Sequence, residues 1–305
     1  MATSNKTESC RVWFITGASS GVGRAIAVAA LDRGDRVVAT ARKPEALTEL
    51  ISHYADRVLL AELDVRREDE AQQAVSEAVA AFGRIDVVVN SAGYGLFGPI
   101  EKTTDKQARD IFDTNFFGVL NVLRATLPVL RRQRSGHVIQ MSALFGQMSW
   151  PGTGLLAATK HAVGGVTAAL AQELTPLGVR FTMVEPGQIN TPFMSHTITT
   201  ETESDYDNTV GALLRSLSHV PTETLPSAAT IAAAVVQVAH ADRPPLHLAL
   251  GNTAMAEIRK ELTARLRDLT EWEQLTRQID DQSYNEPAEL TAPSSTESMR
   301  PKACR

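Results

Sequence analysis

At 305 residues the chain can hold one large α/β domain or two small ones, and its 43% hydrophobic and 21% charged content is that of an ordinary globular protein. A net charge of −5 and a pI near 5.8 give no electrostatic footprint for nucleic acid. Two cysteines at opposite ends, Cys10 and Cys304, supply no disulfide framework, and seven histidines without a His-x-x-x-His or Cys/His cluster argue against a metal.

Residues 1–10 read as a disordered lead, polar and without the apolar stretch of a secretory signal. The first strand is Arg11–Thr16 (RVWFIT), followed by a helix over Gly23–Arg33 and a second strand, Arg36–Ala41 (RVVATA). Pro44–Tyr54 is predicted helical and Val58–Leu63 a third strand. The alanine-rich helix Glu68–Phe82 ends at Gly83, before a fourth strand at Ile85–Asn90. Thr104–Arg134 carries one long helical pattern, with Pro128 marking a break or kink. The basic run Arg131-Arg132-Gln133-Arg134 suits its C-terminal end.

His137–Ser142 is a fifth strand, Leu155–Leu174 a long helix and Val179–Val184 a sixth strand. Residues 191–227, rich in Thr, Ser, Glu and Asp, form a long insertion expected to act as a substrate loop or lid. The helix Ala228–Ala239, a last strand Leu246–Leu250 and a charged amphipathic helix Met255–Ile279 follow. Residues 281–305 are expected to be a disordered tail, Pro/Ser/Thr/Glu-rich from Asn285 on. Strands alternating with helices predict an α/β fold: a Rossmann-type doubly wound parallel sheet, one domain over 11–280 with a C-terminal helical extension. No apolar run reaches the roughly 18 residues of a membrane span. These absences lead to the expectation of a cytoplasmic protein.

Thr16-Gly17-Ala18-Ser19-Ser20-Gly21-Val22-Gly23 joins the first strand to the first helix. Gly17, Gly21 and Gly23 allow a tight turn and close approach of the backbone to a pyrophosphate, which rests on the helix N-terminus beside Ser19, Ser20 and Val22. After the second strand an acidic residue would select NAD by binding its ribose hydroxyls. Here stands Thr40-Ala41-Arg42-Lys43, and Arg42 can fork onto a 2′-phosphate, so the expected cofactor is NADP(H).

Further motifs follow in order. Asp64-Val65 comes after the third strand and Asn90-Ser91-Ala92-Gly93 after the fourth. Asn115 lies in TNFFG, Lys160 in ATKHA, and Pro186-Gly187 precede Thr191. Over roughly residues 11–280 the chain resembles the short-chain dehydrogenase/reductase family, and its C-terminal helix with Trp272 is similar to that of bacterial members like 17-beta-hydroxysteroid dehydrogenases. The resemblance implies that Asp64 and Val65 meet the adenine. Asn90, Ala92 and Gly93 would support the cofactor, Pro186, Gly187 and Thr191 its nicotinamide end. It makes Asn115 and Lys160 active-site residues, with Lys160 also on the nicotinamide ribose. It further implies a homo-oligomer built on helices 104–134 and 155–174.

The family's catalytic tyrosine is missing. The four tyrosines, Tyr54, Tyr94, Tyr206 and Tyr284, are followed four positions on by Val58, Gly98, Val210 and Ala288, so no Tyr-x-x-x-Lys exists. Leu156 stands four before Lys160. The family's serine, counted from Gly146, falls on Ala143, and the adjacent Ser142 should point to the opposite face of its strand. Tyr94, Ala143, Trp150 and Leu156 are expected to line a pocket for a bulky apolar substrate. The chemistry then divides three ways: an oxidoreductase with a non-standard or impaired site, a non-redox enzyme of the cyclase or isomerase kind, or an NADP-binding pseudoenzyme.

Overall fold

The structure, a computed structural model, describes residues 10–279. One unit extends to Glu261 and carries every strand; a second begins at Leu262 and, over its described residues, is helical. The expected lead lies outside the described residues except for the exposed Cys10, and so does the expected tail.

The chain opens with β1 (Val12–Ile15), α1 (Gly21–Asp32), β2 (Arg36–Ala41), α2 (Thr48–Tyr54), β3 (Val58–Glu62) and α3 (Glu68–Phe82). It continues through β4 (Val87–Asn90), β5 (Leu96–Phe97), α4 (Asp105–Phe112), α5 (Gly118–Gln133), β6 (Gly136–Met141) and α6 (Gly154–Leu174). It closes with β7 (Val179–Pro186), β8 (Ile198–Thr199), α7 (Ala212–Ser218), α8 (Ala228–Ala239), β9 (His247–Leu250), α9 (Asn252–Glu271) and α10 (Glu273–Ile279).

Seven strands form one parallel sheet in the order β3-β2-β1-β4-β6-β7-β9, the doubly wound arrangement that the alternating pattern predicts. The chain winds outward from β1 to β3, then returns to lay β4 on the other side of β1. That reversal opens a crevice at the carboxyl ends of β1 and β4. Both faces are covered, which is why VWFI and VVVN read as unbroken apolar runs. Trp13, Ile15, Val37, Val87, Ile139 and Val184 meet α1 and α8 through Ile26, Leu31, Ile231 and Val235. Phe14, Val38, Val88, Val138 and Phe181 meet α3 and α5 through Val75, Val122 and Leu130.

Several element boundaries differ from expectation. The pattern over Thr104–Arg134 is not one helix interrupted at Pro128. α5 runs through Pro128, and the interruption is a π-helical turn at Asp113–Phe117 that separates α4 from α5. Pro128 thus lacks its own N–H but does not end the helix. Pro44–Leu47 is a 3₁₀ turn ahead of α2, because proline at its start suits a tight first turn. β7 extends to Pro186, and the C-terminal helical pattern divides at Trp272 into α9 and α10.

The 191–227 insertion is built of short turns, β8 and α7. β8 pairs with β5 (Leu96↔Ile198, Phe97↔Thr199), and a Lys102–Glu203 ion pair adds a second tie. Gly98 makes this pairing possible: its φ is +145°, and a Cβ there would overlap Thr200 Oγ1. Among the described residues no helix is long and apolar enough to cross a membrane.

Candidate active site

The glycine turn sits at the mouth of the β1/β4 crevice. Gly17 has φ +67°, and a Cβ on it would stand 2.9 Å from Ala92 Cα, so only glycine lets the two loops close. Thr16 Oγ1 accepts from the N–H groups of Ser91 (3.0 Å) and Ala92 (3.1 Å), which fastens the Asn90–Gly93 loop to the turn. Ser20 caps α1 with an extended backbone and no side-chain cap. The first N–H groups of that helix therefore keep their capacity for an anion, with the positive end of the helix dipole behind them. Ser19 and Ser20 are exposed, and Val22 packs on the α1/α8 side of the core. These features fit a dinucleotide pyrophosphate.

Arg42 is exposed just beyond the end of β2. Asp64 is held by Arg66 (Nε to Oδ1 2.9 Å, Nη2 to Oδ2 2.5 Å); this hydrogen bonding keeps its carboxyl below the ordinary range, and Arg42 adds to the effect. Asn121 Nδ2 donates to the Val65 carbonyl at 2.9 Å. Asn90 is 4% exposed, and its amide oxygen and nitrogen have no hydrogen-bond partner among the described residues. Pro186 ends β7, Gly187 N–H donates to the Leu250 carbonyl (3.3 Å), and Thr191 Cβ lies 3.9 Å from where a Gly21 Cβ would be. The cofactor candidates from Gly17 to Thr191 thus border the carboxyl ends of the strands.

Asn115 stands in the π-helical turn, 2% exposed. Its Nδ2 donates to the Tyr94 carbonyl (2.9 Å) and its Oδ1 accepts from the Tyr94 N–H (3.1 Å), so one amide closes on both backbone polar groups of one residue. A π turn at a functional position is a recurring use of that geometry. Lys160 Nζ donates to the Met141 carbonyl at 2.8 Å, and burial brings its pKa down from 10.5 to about 8.

Leu156, one turn earlier on α6, is 1% exposed. It shares an apolar cluster with Leu96, Phe97, Leu144 and Phe145, against which Tyr94, Ala143 and Trp150 pack. All four expected pocket residues therefore belong to one cluster. The Trp150 ring stands edge-on to Phe145, with centroids 5.4 Å apart. Burial raises the Tyr94 pKa and Asp110 raises it further, the reverse of what a proton donor near neutral pH needs. His161 turns back onto the Ala157 carbonyl at 2.9 Å.

A second polar group, which no sequence motif marks, lies at the end of β7. Glu185 is 2% exposed, with Oε1 2.8 Å from Gln147 Nε2 and 3.1 Å from His247 Nδ1. Ser142 lies on the neighbouring strand end, its N–H donating to the Val184 carbonyl at 2.9 Å. Gln147 and His247 belong to no motif and stand a hundred residues apart, so only the fold joins them.

The short chain dehydrogenase family model matches residues 11–202. The chain is 39% identical over 268 residues to "Oxidoreductase BOA17" of Botryotinia fuckeliana, covering 87% of this chain and 98% of that protein. It is similar to the crystal structure of a short-chain dehydrogenase from Streptomyces avermitilis, with TM-score 0.84 and 37% identity over 90% of this chain and all of that one. It is also similar to an alcohol dehydrogenase from the archaeon Thermococcus sibiricus complexed with 5-hydroxy-NADP, with TM-score 0.67 and 26% identity over 79% of this chain and 96% of that one. On the family match and these relatives, the chain belongs to the short chain dehydrogenase family.

Proposed function

We propose that this protein binds NADP(H) and works as an oxidoreductase on a bulky apolar carbonyl or alcohol, with Ala143 and Leu156 in the places of the family's serine and tyrosine. The observation that carries the reading is the pairing of an uncapped α1 N-terminus behind Gly17 and Gly21 with Lys160 seated on the Met141 carbonyl. Arg42, exposed beyond β2 where no acidic residue stands, supports the phosphorylated cofactor. The NADP derivative carried by the Thermococcus neighbour supports the same choice. The apolar cluster of Tyr94, Trp150 and Leu156 supports an apolar substrate.

The chemistry that NADPH would supply in this site is a hydride for a carbonyl carbon. The N–H groups from Ser20 to Gly23 would hold its pyrophosphate, Gly187 and Thr191 would flank its nicotinamide end, and Lys160 would hydrogen-bond its ribose. Asn115 fixes the Tyr94 backbone and with it one wall of the pocket. Leu156 has no proton to give and Ala143 no hydroxyl, so the pair excludes water and orients substrate by contact. Loss of a general acid costs about 10²–10⁴-fold. Loss of an oxyanion donor costs about 10²–10³-fold, and the two need not multiply. Of Ala143, Leu156 and Lys160, Lys160 is the one with a proton to give.

The apolar surface that Ala143 and Leu156 give the cluster favours one other reading. With no replacement acid there, a hydrophobic substrate held over the cofactor would cyclise or isomerise by orientation alone, with 191–227 as its lid. Titration with NADPH and NADH, then NADPH consumption across a panel of hydrophobic ketones, separates the readings. Binding with steady turnover supports the oxidoreductase. Binding without turnover, but with a rearranged product, supports the non-redox enzyme. Absence of NADPH binding removes both.

A further inference from the structure

The second unit carries a row of exposed apolar side chains. Leu262, Leu266, Leu269, Trp272, Leu275 and Ile279 are all exposed, from 45% at Leu262 to 81% at Ile279. The division between α9 and α10 does not break the row. Trp272 N–H donates to the Asp268 carbonyl (3.1 Å) and Thr276 N–H to the Trp272 carbonyl (3.0 Å), so α-helical hydrogen bonding passes through it. Written as heptads from Leu262, the seam positions include 262, 269, 272 and 279, with Leu266 and Leu275 on the flanks. An apolar row of this length, rimmed by charge, marks a site of association.

The spacing of the row is the same in either direction: four, three, three, three and four residues. A helix of that kind is complementary to a copy of itself turned end for end, which is the condition for a two-fold interface. About a centre between Thr270 and Glu271, Leu262 falls opposite Ile279 and Leu269 opposite Trp272. The remaining seam positions, Arg265 and Thr276, also fall opposite each other, and a polar layer of this sort fixes register. Charge selects the same direction. Arg265 and Arg267 lie in the first half, and Asp268, Glu271 and Glu273 lie in the second with Arg277. Antiparallel pairing sets the basic half of one copy against the acidic half of the other, whereas parallel pairing sets like on like.

We propose that residues 262–279 pair with the same segment of a second copy of this chain, antiparallel and about a two-fold axis near Thr270 and Glu271. This surface is distinct from helices 104–134 and 155–174, where the family resemblance places self-association. Two other occupants fit less well. Helices that lie on anionic membranes are rich in Lys and Arg on their polar face, whereas here the half with Trp272 and Ile279 is acidic. Beyond 279 the sequence holds three large apolar residues, Tyr284, Leu290 and Met299, against six in the row. Ala254 and Ile258, on the first turns of the same helix, belong to the apolar cluster around Leu156, so pairing also fixes a helix that contributes to the pocket.

The test uses the full chain carrying Cys10→Ser and Cys304→Ser, so that every disulfide comes from a placed pair. Leu262→Cys with Ile279→Cys sets two thiols about 25 Å apart along one helix and side by side between antiparallel copies. The double variant is expected to cross-link at least tenfold faster than either single variant, and adding Leu269→Asp should remove that advantage. Without placed cysteines, Leu269→Asp should at least halve the mass found by sedimentation equilibrium at micromolar concentration. Leu269 is 64% exposed, so its replacement leaves the fold intact, which circular dichroism checks. Equal cross-linking by single and double variants overturns the proposal, as does an unchanged mass in Leu269→Asp. Two further results overturn it by naming another occupant: a rise in mass on removal of residues 280–305, or Leu269-dependent cosedimentation with phosphatidylserine vesicles. None of these readouts involves NADPH, so they stand apart from the oxidoreductase reading.

Discussion

Leu156 and Lys160 stand four residues apart on one face of α6, the leucine sealed in an apolar cluster and the lysine anchored on the Met141 carbonyl at 2.8 Å. In a Tyr-x-x-x-Lys arrangement the ammonium would lower the pKa of a phenol at the first position. Here the first position holds only methyl groups. Ala143→Ser with Leu156→Tyr is therefore expected to raise NADPH-dependent reduction of apolar ketones by about 10²-fold or more. Steady-state consumption of NADPH by the double variant and the parent measures it. Equal rates would mean that the pocket differs from that of a reductase at more than these two residues.

Arg42→Ala is expected to weaken NADPH binding by about 10–100-fold, the range of one charge-assisted, bidentate contact, while leaving NADH affinity nearly unchanged. Fluorescence titration with both cofactors gives the ratio. A parallel loss for both would place Arg42 away from the 2′-phosphate.

Asn115 is buried with both ends of its amide on the backbone N–H and carbonyl of Tyr94. Asn115→Ala leaves that N–H and carbonyl without their partner, at a cost of about 1–3 kcal/mol. Urea unfolding should show the midpoint falling with an unchanged slope. A changed slope would instead report an altered native or unfolded state.

His137 sits inside the sheet with Nε2 2.9 Å from Thr182 Oγ1, and burial takes its pKa down from 6.5 to about 3. In the unfolded chain the imidazole binds a proton as pH falls through 6.5, whereas in the folded chain it stays neutral until about 3. Its contribution to stability is therefore full above pH 6.5 and is lost on the way down to about 3, at about 1.4 kcal/mol per pH unit. His137→Gln should flatten this part of the stability curve, read by urea denaturation at stepped pH. A slope unchanged in the variant would assign acid lability to other groups.

Gly98→Ala places a Cβ against Thr200 at a backbone φ of +145°. The β5–β8 pairing should loosen, and limited proteolysis should cut the variant within 191–227 sooner than the parent. The main sheet does not involve Gly98, so global unfolding should move much less.

The sequence by itself determined the parallel sheet, because strands buried on both faces must be apolar throughout and helices covering them must be amphipathic. It likewise determined the glycine turn, where a Cβ has no room at Gly17. The break at 113–117 was invisible because a π turn keeps the local helical pattern; what it gains is Asn115's grip on Tyr94, a contact across 21 residues. The β5–β8 tie was hidden because two-residue strands carry no periodicity. Ser142, Glu185, Gln147 and His247 were unreadable as a group for the same reason: local spacing reports which face a side chain takes, whereas strand order alone decides which distant side chains share it.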